Sequence, residues 1–332
     1  MKQQPVGVTM GHPAGVGPEV IVKSLCAAPR RKAAGGVVFG DRGARERAAR
    51  LAGLAARWKA VLKSGAAGVV EVSDLEERDA SPGLPSEAGS LAQVDYIREA
   101  VAWATDGRIA AIATAPISKA GMQSGGYNFP GHTELLARLS GVEKVAMMFT
   151  GPKLKVALAT IHVPICEVPG LLKADLILWR LRLAVRAMKL FYGMPNPRVG
   201  VSALNPHGGE EGRMGREEIK VIAPAIELAR GEGIQATGPL PADTLYYKAL
   251  HGEYDLVMAM YHDQAMIPVK TLGFGKSVNI TLGLPFVRTS PDHGTAFELA
   301  PRSAADFSGM AHAIATAGRL APKLSGKDAW TA

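Results

Sequence analysis

The chain is predicted to be an α/β protein with a substantially parallel sheet, and two observations carry this. Short runs rich in Val, Ile, Ala and Met recur along it with helical segments between them: VGVTM, GGVVFG, IAAIATAP, VAMMFTG, LKVALATIHVP, RVGVSALNPH, LVMAMYHDQ and SVNITLGLPF. The 332 residues, 47% of them hydrophobic, can bury a sizeable core as one large unit or as two lobes.

In chain order, the first strand, VGVTM, leads through GHPAGVGPEV (Gly11 to Val20) into a helix starting IVKSLCAA. Val20 takes the third glycine place of G-x-G-x-x-G, and no Lys-Ser/Thr pair closes a P-loop. Pro18 suits the first helical position and Glu19 the positive end of a helix dipole, where a carboxylate would repel pyrophosphate. The stretch is read as a tight strand-to-helix corner or as a ligand loop of another kind. The basic run Arg42 to Lys63 reads as a solvated helix face rather than a nucleic-acid patch. SPGLPSEAG, Ser81 to Gly89, is the clearest loop. GHTELLARLSG, Gly131 to Gly141, reads as a helix with Thr133 as cap and Gly141 as terminator. Its free amides could take an anion, with His132 and Thr133 as added donors, or could simply be capped. Leu176 to Gly193 is too charged to span a membrane, carrying Arg180, Arg182, Arg186 and Lys189. It is expected to be a soluble helix capped by Asp175 and stopped by Gly193.

The net charge of +8 is compatible with anionic small ligands, but the basic residues are spread along the chain. Cys26 and Cys166 form no C-x-x-C pair and fit a reducing compartment. The start, MKQQPVGVTM, lacks a long apolar segment, so a cytoplasmic protein without membrane or nucleic-acid partners is expected.

Polar residues gather at the ends of the apolar runs, in TAPISK (Thr114 to Lys119), IHVP, LNPHGGEEG and YHDQ. Ligands of α/β sheets bind beyond the carboxyl ends of strands, so these stretches point to one site. His162, His207 and His262 each follow such a run. Singly, each reads as a hydrogen-bonded structural histidine; together they suit Zn, Co, Ni or another borderline transition metal with open coordination places. No local spacing ties any two of them. His251 and His312 read as structural. Lys270, Asn279 and Arg288 could bind phosphate or carboxylate through charge-assisted bonds, with plain solvation the competing reading for Lys270.

Through GHPAGVGPE, TAPISK, GHTE, LNPHGGEEGRMGREE, GPLPADT, AMYHDQ, IPVK, VNITLGLPFVRTS and DHGTAFELA, the chain resembles the 4-hydroxythreonine-4-phosphate dehydrogenase family nearly end to end. The resemblance implies the isocitrate/isopropylmalate dehydrogenase-like fold: two α/β/α lobes with a cleft between them. The first lobe, on the cofactor side, is expected over 1–114 and 272–332, and the second, with metal, substrate and dimer contacts, over 115–271. It implies a homodimer with a shared active site, where His162 and His207 of one chain and His262 of the other hold a divalent metal. That metal is Zn, Co, Mn or Mg, with Zn favoured by three histidines. Substrate contacts are implied at His132, Thr133, Lys270, Asn279 and Arg288. NAD or NADP is implied near Gly15 and Gly17 and along Asp292, His293, Gly294 and Thr295; the glycine loop there shapes the site near the nicotinamide and is not a Rossmann grip. Two departures stand out, His12 in an acidic place and Pro301 and Ser303 in glycine places.

The implied reaction is oxidation of 4-phosphohydroxy-L-threonine with decarboxylation to 3-amino-2-oxopropyl phosphate, on the way to pyridoxal phosphate. Asp243 and Lys119 are the candidates for proton handling. The alternative substrates are four-carbon sugar-acid phosphates such as D-threonate or D-erythronate 4-phosphate. A zinc hydrolase, which needs no nicotinamide, and a metal-binding protein without dehydrogenase activity are the readings from other classes.

Overall fold

Strands buried on both faces explain why the sequence shows continuous apolar runs rather than alternation; no position of β1 (Val6–Thr9) is exposed. The computed structural model describes residues 4–28, 36–127, 129, 131–324 and 330. Residues 1–3, on which part of the leader reading rests, lie outside them. The described residues form two compact units, those within Met1–Glu143 and Leu284–Ala329 and those within Lys144–Gly283 and Trp330–Ala332. No helix among them is long and apolar enough to cross a membrane.

In the first unit β1 is followed by α1 (Gly17–Ala27), β2 (Gly36–Asp41), α2 (Arg42–Leu51), α3 (Ala55–Lys63), β3 (Ala67–Ser73), α4 (Glu87–Thr105), β4 (Ala111–Thr114), α5 (Lys119–Ser124) and α6 (His132–Leu139). The second unit holds β5 (Ala146–Thr150), β6 (Lys155–Leu158), α7 (Val168–Leu171), α8 (Ala174–Tyr192), β7 (Val199–Ser202), α9 (Ala223–Gly231), β8 (Ala236–Leu240), α10 (Ala242–Leu250), β9 (Leu256–Ala259), α11 (His262–Gly273) and β10 (Val278–Leu282). The chain returns to the first unit with β11 (Val287–Ser290) and α12 (Ser308–Leu320).

Within the first unit the strand order is β3-β2-β1-β4-β11, and every pair is parallel. Helix α4 packs on β1 to β4, and α12 on β11, β4 and β1. The chain leaves β1 toward β2 on one side and comes back to β4 on the other. Such a switch point opens a crevice beyond the carboxyl ends of the strands. The glycine loop follows β1 there, TAPISK straddles the end of β4, and Asp292 to Thr295 follow β11.

Within the second unit the order is β10-β5-β6-β9-β7-β8; β5 is antiparallel to both neighbours and the remaining pairs are parallel. Because β6, β9 and β7 are parallel neighbours, their carboxyl ends share one edge. The chain runs from those ends into His162, His262 and His207. A core that includes Phe149, Val156, Leu245, Val257 and Val269 backs that edge.

Three local expectations change. Helix α6 is capped by Gly131, so Thr133 lies buried in its first turn, and α8 is capped by Lys173, which puts Asp175 inside it. Which residue caps depends on where the extended chain turns helical, and sequence composition locates that only to within a residue or two. The basic run divides at Gly53 into α2 and α3, and Arg45 is buried against Glu71 instead of solvated. Gly193 stops α8 in the left-handed region, at φ 67° and ψ 26°.

Candidate active site

The amides of the glycine loop after β1 are taken by acceptors of the protein itself. Ala14 N–H donates to His12 Nδ1 at 3.2 Å, Gly15 N–H to His12 O and Val16 N–H to Thr295 O, both at 3.0 Å. Side chains are excluded by close approach: a Cβ on Gly15 would meet Thr295 O at 2.9 Å, and one on Gly17 would meet Met10 O at 2.0 Å. Glu19 accepts from Lys23 Nζ and from Ala305 N–H, and Lys23 also donates to Ser303 O. Through Oε1 the carboxylate thus clamps α1 to a segment nearly three hundred residues away. Asp41, at the end of β2 where a dinucleotide fold would offer a ribose acceptor, receives Ala44 N–H, Ser73 Oγ–H and Leu75 N–H. The loop is a corner that holds Thr295 in place.

His12 is fully buried. Its Nδ1 accepts from Ala14, which puts the proton on Nε2 facing Ser90 Oγ at 3.3 Å, and its ring meets the edge of Phe297 at 5.1 Å. Burial lowers its pKa to about 4, so the ring is neutral near pH 7. Pro301 rests on Gly83, and Ser303 takes φ 48° and ψ 42°, a left-handed geometry that glycine adopts without strain. His293 pairs through Nδ1 with Gly294 O at 3.0 Å, while its buried Nε2 makes no hydrogen bond. Space beside Gly294 is open.

A second cluster of the first unit is cationic. Arg288, on β11, is 2% exposed and donates Nη2–H to Thr114 Oγ1 at 2.7 Å. Burial lowers its pKa to about 10, against the opposing charge of Glu134. Burial first, and then the charges of Arg288 and Lys119, push the His132 imidazole well below its ordinary range, and its buried Nε2 makes no hydrogen bond. Lys119 passes over Gly131, where a Cβ would meet its Cε at 3.4 Å. With the free amides of α6, these groups form a site of excess positive charge suited to an anion.

In the second unit the rings of His162 and His262 stand 5.5 Å apart. His262 Nδ1 faces Asp263 Oδ1 at 2.7 Å, and His207 Nδ1 faces Glu210 Oε1 at 2.8 Å. That hydrogen bond, then the charge of Glu210, raises the pKa of His207. A carboxylate accepting from Nδ1–H leaves the Nε2 lone pair for a metal ion. His207 opens a left-handed turn, with φ of 53°, 70°, 77°, 41° and 56° from His207 to Glu211. Beneath the turn, Glu218 is 3% exposed and accepts Leu204 N–H, Asn205 N–H and Asn205 Nδ2–H. His207 lines a pocket of about 570 Å³ with Ile165, Asn205, Asp243, Tyr261 and Gln264. Asp243 is exposed there and adds to the upward shift of His207. Lys270 lies on α11; Asn279, on β10, is 8% exposed and its Oδ1 makes no hydrogen bond. Among the described residues of one chain, no three His, Cys, Asp or Glu side chains converge as a metal-holding set.

The structure therefore gathers Lys119, His132, Thr133 and Arg288 in the first unit, and Gly15 with Thr295. In the second it gathers His162 with His262, and His207 with Asp243. Sequence reasoning passed over the partners Glu210, Asp263 and Glu218. A carboxylate within three residues of each of two histidines, in HGGE and HD, is the signal that could have found the first two.

Residues 32–317 match the model of the family described as pyridoxal phosphate biosynthetic protein PdxA. The chain is 44% identical over 318 residues to the 4-hydroxythreonine-4-phosphate dehydrogenase of Desulforapulum autotrophicum, covering 93% of each chain. It is 41% identical to the D-threonate 4-phosphate dehydrogenase of Cupriavidus necator, over 96% of this chain and 97% of that one. The crystal structure of the Klebsiella pneumoniae 4-hydroxythreonine-4-phosphate dehydrogenase superposes with a TM-score of 0.82 at 38% identity, covering 96% of this chain and all of that one.

Proposed function

The chain belongs to the pyridoxal phosphate biosynthetic protein PdxA family, and from that premise we propose that it is a metal-dependent NAD(P) dehydrogenase acting on 4-phosphohydroxy-L-threonine. The oxidised product loses carbon dioxide to give 3-amino-2-oxopropyl phosphate. The observation that carries this reading is the buried Arg288 guanidinium with the Lys119 ammonium and the neutral His132 ring at the start of α6, a set of donors suited to a dianionic group such as phosphate.

The donor set fits a divalent metal. His207 and His262 each turn Nδ1 to a carboxylate, the usual arrangement around a histidine-bound ion. In the proposed assignment His162 and His207 of one chain and His262 of a partner copy hold a metal, with Zn favoured. The exposed Ile165, Ile267 and Phe274 of the second unit support burial against that copy. The open side of Gly294 and the unmatched Nε2 of His293 fit a nicotinamide cofactor along Asp292 to Thr295. When bound, the metal supplies a Lewis acid that lowers the pKa of the substrate hydroxyl, and the nicotinamide supplies a hydride acceptor.

Arg288, Lys119, His132 and Thr133 bind and orient the phosphate; Lys270 and Asn279 orient the rest of the substrate. The Asp243 carboxylate takes the hydroxyl proton, and the Lys119 ammonium returns a proton to the carbon that carbon dioxide leaves. The unit holding β1 to β4 is the cofactor lobe, and the unit holding the three histidines is the metal lobe. The two free cysteines, one buried and one exposed, suit a cytoplasmic setting.

D-Threonate 4-phosphate is the second reading, favoured by the Cupriavidus relative's name. It differs from the first substrate chiefly in an α-hydroxy instead of an α-amino group. A panel of both substrates with NAD and NADP, with and without added divalent metal, tests the assignment. Metal- and nicotinamide-dependent turnover of one of them is expected. Turnover without nicotinamide, or full activity in a metal-free sample, would overturn it.

A further inference from the structure

Gln264 lines the pocket beside His207, yet neither end of its amide is offered to that pocket. Its Oε1 accepts Met260 N–H at 2.7 Å, and its Nε2 donates to Ala203 O at 2.8 Å. Chemistry fixes this orientation, because an N–H can pair only with the oxygen end and a carbonyl only with the NH2 end. Met260 O accepts twice from Thr160, from N–H at 3.1 Å and from Oγ1–H at 2.7 Å. All four residues are buried.

The places of these bonds matter. Pairing of β7 with β9 ends at Val201 and Met258, and pairing of β6 with β9 ends at Leu158 and Ala259. Past those points the three chains would separate toward their histidines. Thr160 stands two residues before His162, Met260 two before His262, and Ala203 four before His207. The series Thr160, Met260, Gln264, Ala203 thus cross-links the three strand ends just before each histidine departs.

We infer that Gln264 is a positioning residue: together with Thr160 and through Met260 it sets the spacing of the strand ends carrying His162 and His207, the two ligands one chain gives to one site, and it holds the strand end from which His262 leaves for the partner copy's site. The inference rests on the reading of the three histidines as metal ligands. Without the amide, Met260 N–H and Ala203 O lose their buried partner and the strand ends can slide apart. A histidine site loosened in this way loses affinity although every ligand remains.

The test titrates Co²⁺ into metal-stripped protein, following d–d absorption and competition with a chelator. Gln264→Leu is expected to weaken Co²⁺ binding by about 10–100-fold, the usual effect of losing an outer partner of a metal site. Gln264→Glu, which turns a second oxygen toward Ala203 O, should resemble Gln264→Leu. Thr160→Val removes one hydrogen bond without changing shape and should cost about threefold to tenfold. Val38→Ala, a core substitution in the other unit, lowers stability and should leave Co²⁺ affinity unchanged. Should Gln264→Leu fail to fold, Thr160→Val carries the test. Folded variants that bind Co²⁺ like the wild type would overturn the clamp alone. A wild type that binds no Co²⁺ would overturn the metal centre, and the clamp's role with it.

Discussion

The left-handed turn that presents His207 can be broken at a single methyl group. Gly208 and Gly209 both have positive φ, 70° and 77°, but their surroundings differ. A Cβ on Gly208 would find only Pro241 Cγ, at 4.0 Å, whereas a Cβ on Gly209 would meet Glu218 Oε2 at 2.6 Å. Gly208→Ala therefore carries the left-handed penalty alone, about 1–2 kcal/mol. Gly209→Ala carries that penalty and also displaces a buried carboxylate that accepts three hydrogen bonds from Leu204 and Asn205. Oε2 itself accepts one of these, from Asn205 Nδ2–H, and its loss adds about 1.5–3 kcal/mol, the contribution of a hydrogen bond to a charged group. Urea unfolding followed by circular dichroism should place Gly209→Ala about 2.5–5 kcal/mol below the wild type and clearly below Gly208→Ala. Co²⁺ binding should weaken in the same order. Equal losses in the two variants would refute the role of Glu218 as the support of the turn.

Three further outcomes are expected. His12 titrates at about 4 when folded and at its ordinary 6.5 when unfolded, so the unfolded chain binds the extra proton first. Stability present above pH 6.5 is lost as pH falls toward 4, by about 3 kcal/mol from this group. His12→Asn, whose Oδ1 can still accept from Ala14, should flatten that part of the urea-unfolding profile, and superimposable profiles would refute it. Arg288→Lys should lower kcat/KM by about 10²–10⁴-fold for the phosphorylated substrate and much less for its dephosphorylated form, because remote binding energy positions the reacting carbon; equal losses would remove Arg288 from the phosphate site. His162→Ala and His262→Ala should each be nearly inactive, yet mixed with subunit exchange they should recover about a quarter of wild-type activity if the site takes ligands from two chains of a twofold dimer. No recovery despite demonstrated exchange would assign all the histidines to one chain, where His162 and His262 already stand 5.5 Å apart.

Much of the architecture is written in local pattern. Runs such as IAAIA and VGV are apolar without alternation because the strands they form are covered on both faces, and their recurrence between helical segments predicts α/β with parallel strands. The polar residues that interrupt these runs mark the carboxyl ends of strands, which is how His162, His207 and His262 could be singled out. Gly193 reads as a helix stop because left-handed geometry is costly for any residue with a Cβ. Other assignments needed the folded chain. Glu19 reads locally as an acid at a helix start, but its partners Lys23 and Ala305 include one that only folding brings near. His12 reads as a change of charge, and only its burial against Ser90 and Phe297 makes it neutral. Gln264 reads as one more polar residue of YHDQ, and only the fold brings the segments after β7 and β9 together to give its amide two partners. The sequence by itself determined what depends on neighbours along the chain: periodicity, stop signals and the residues at strand ends. Tertiary structure decided charge state and hydrogen-bond partners, because desolvation and pairing are set by groups that are distant in sequence and meet only in the fold.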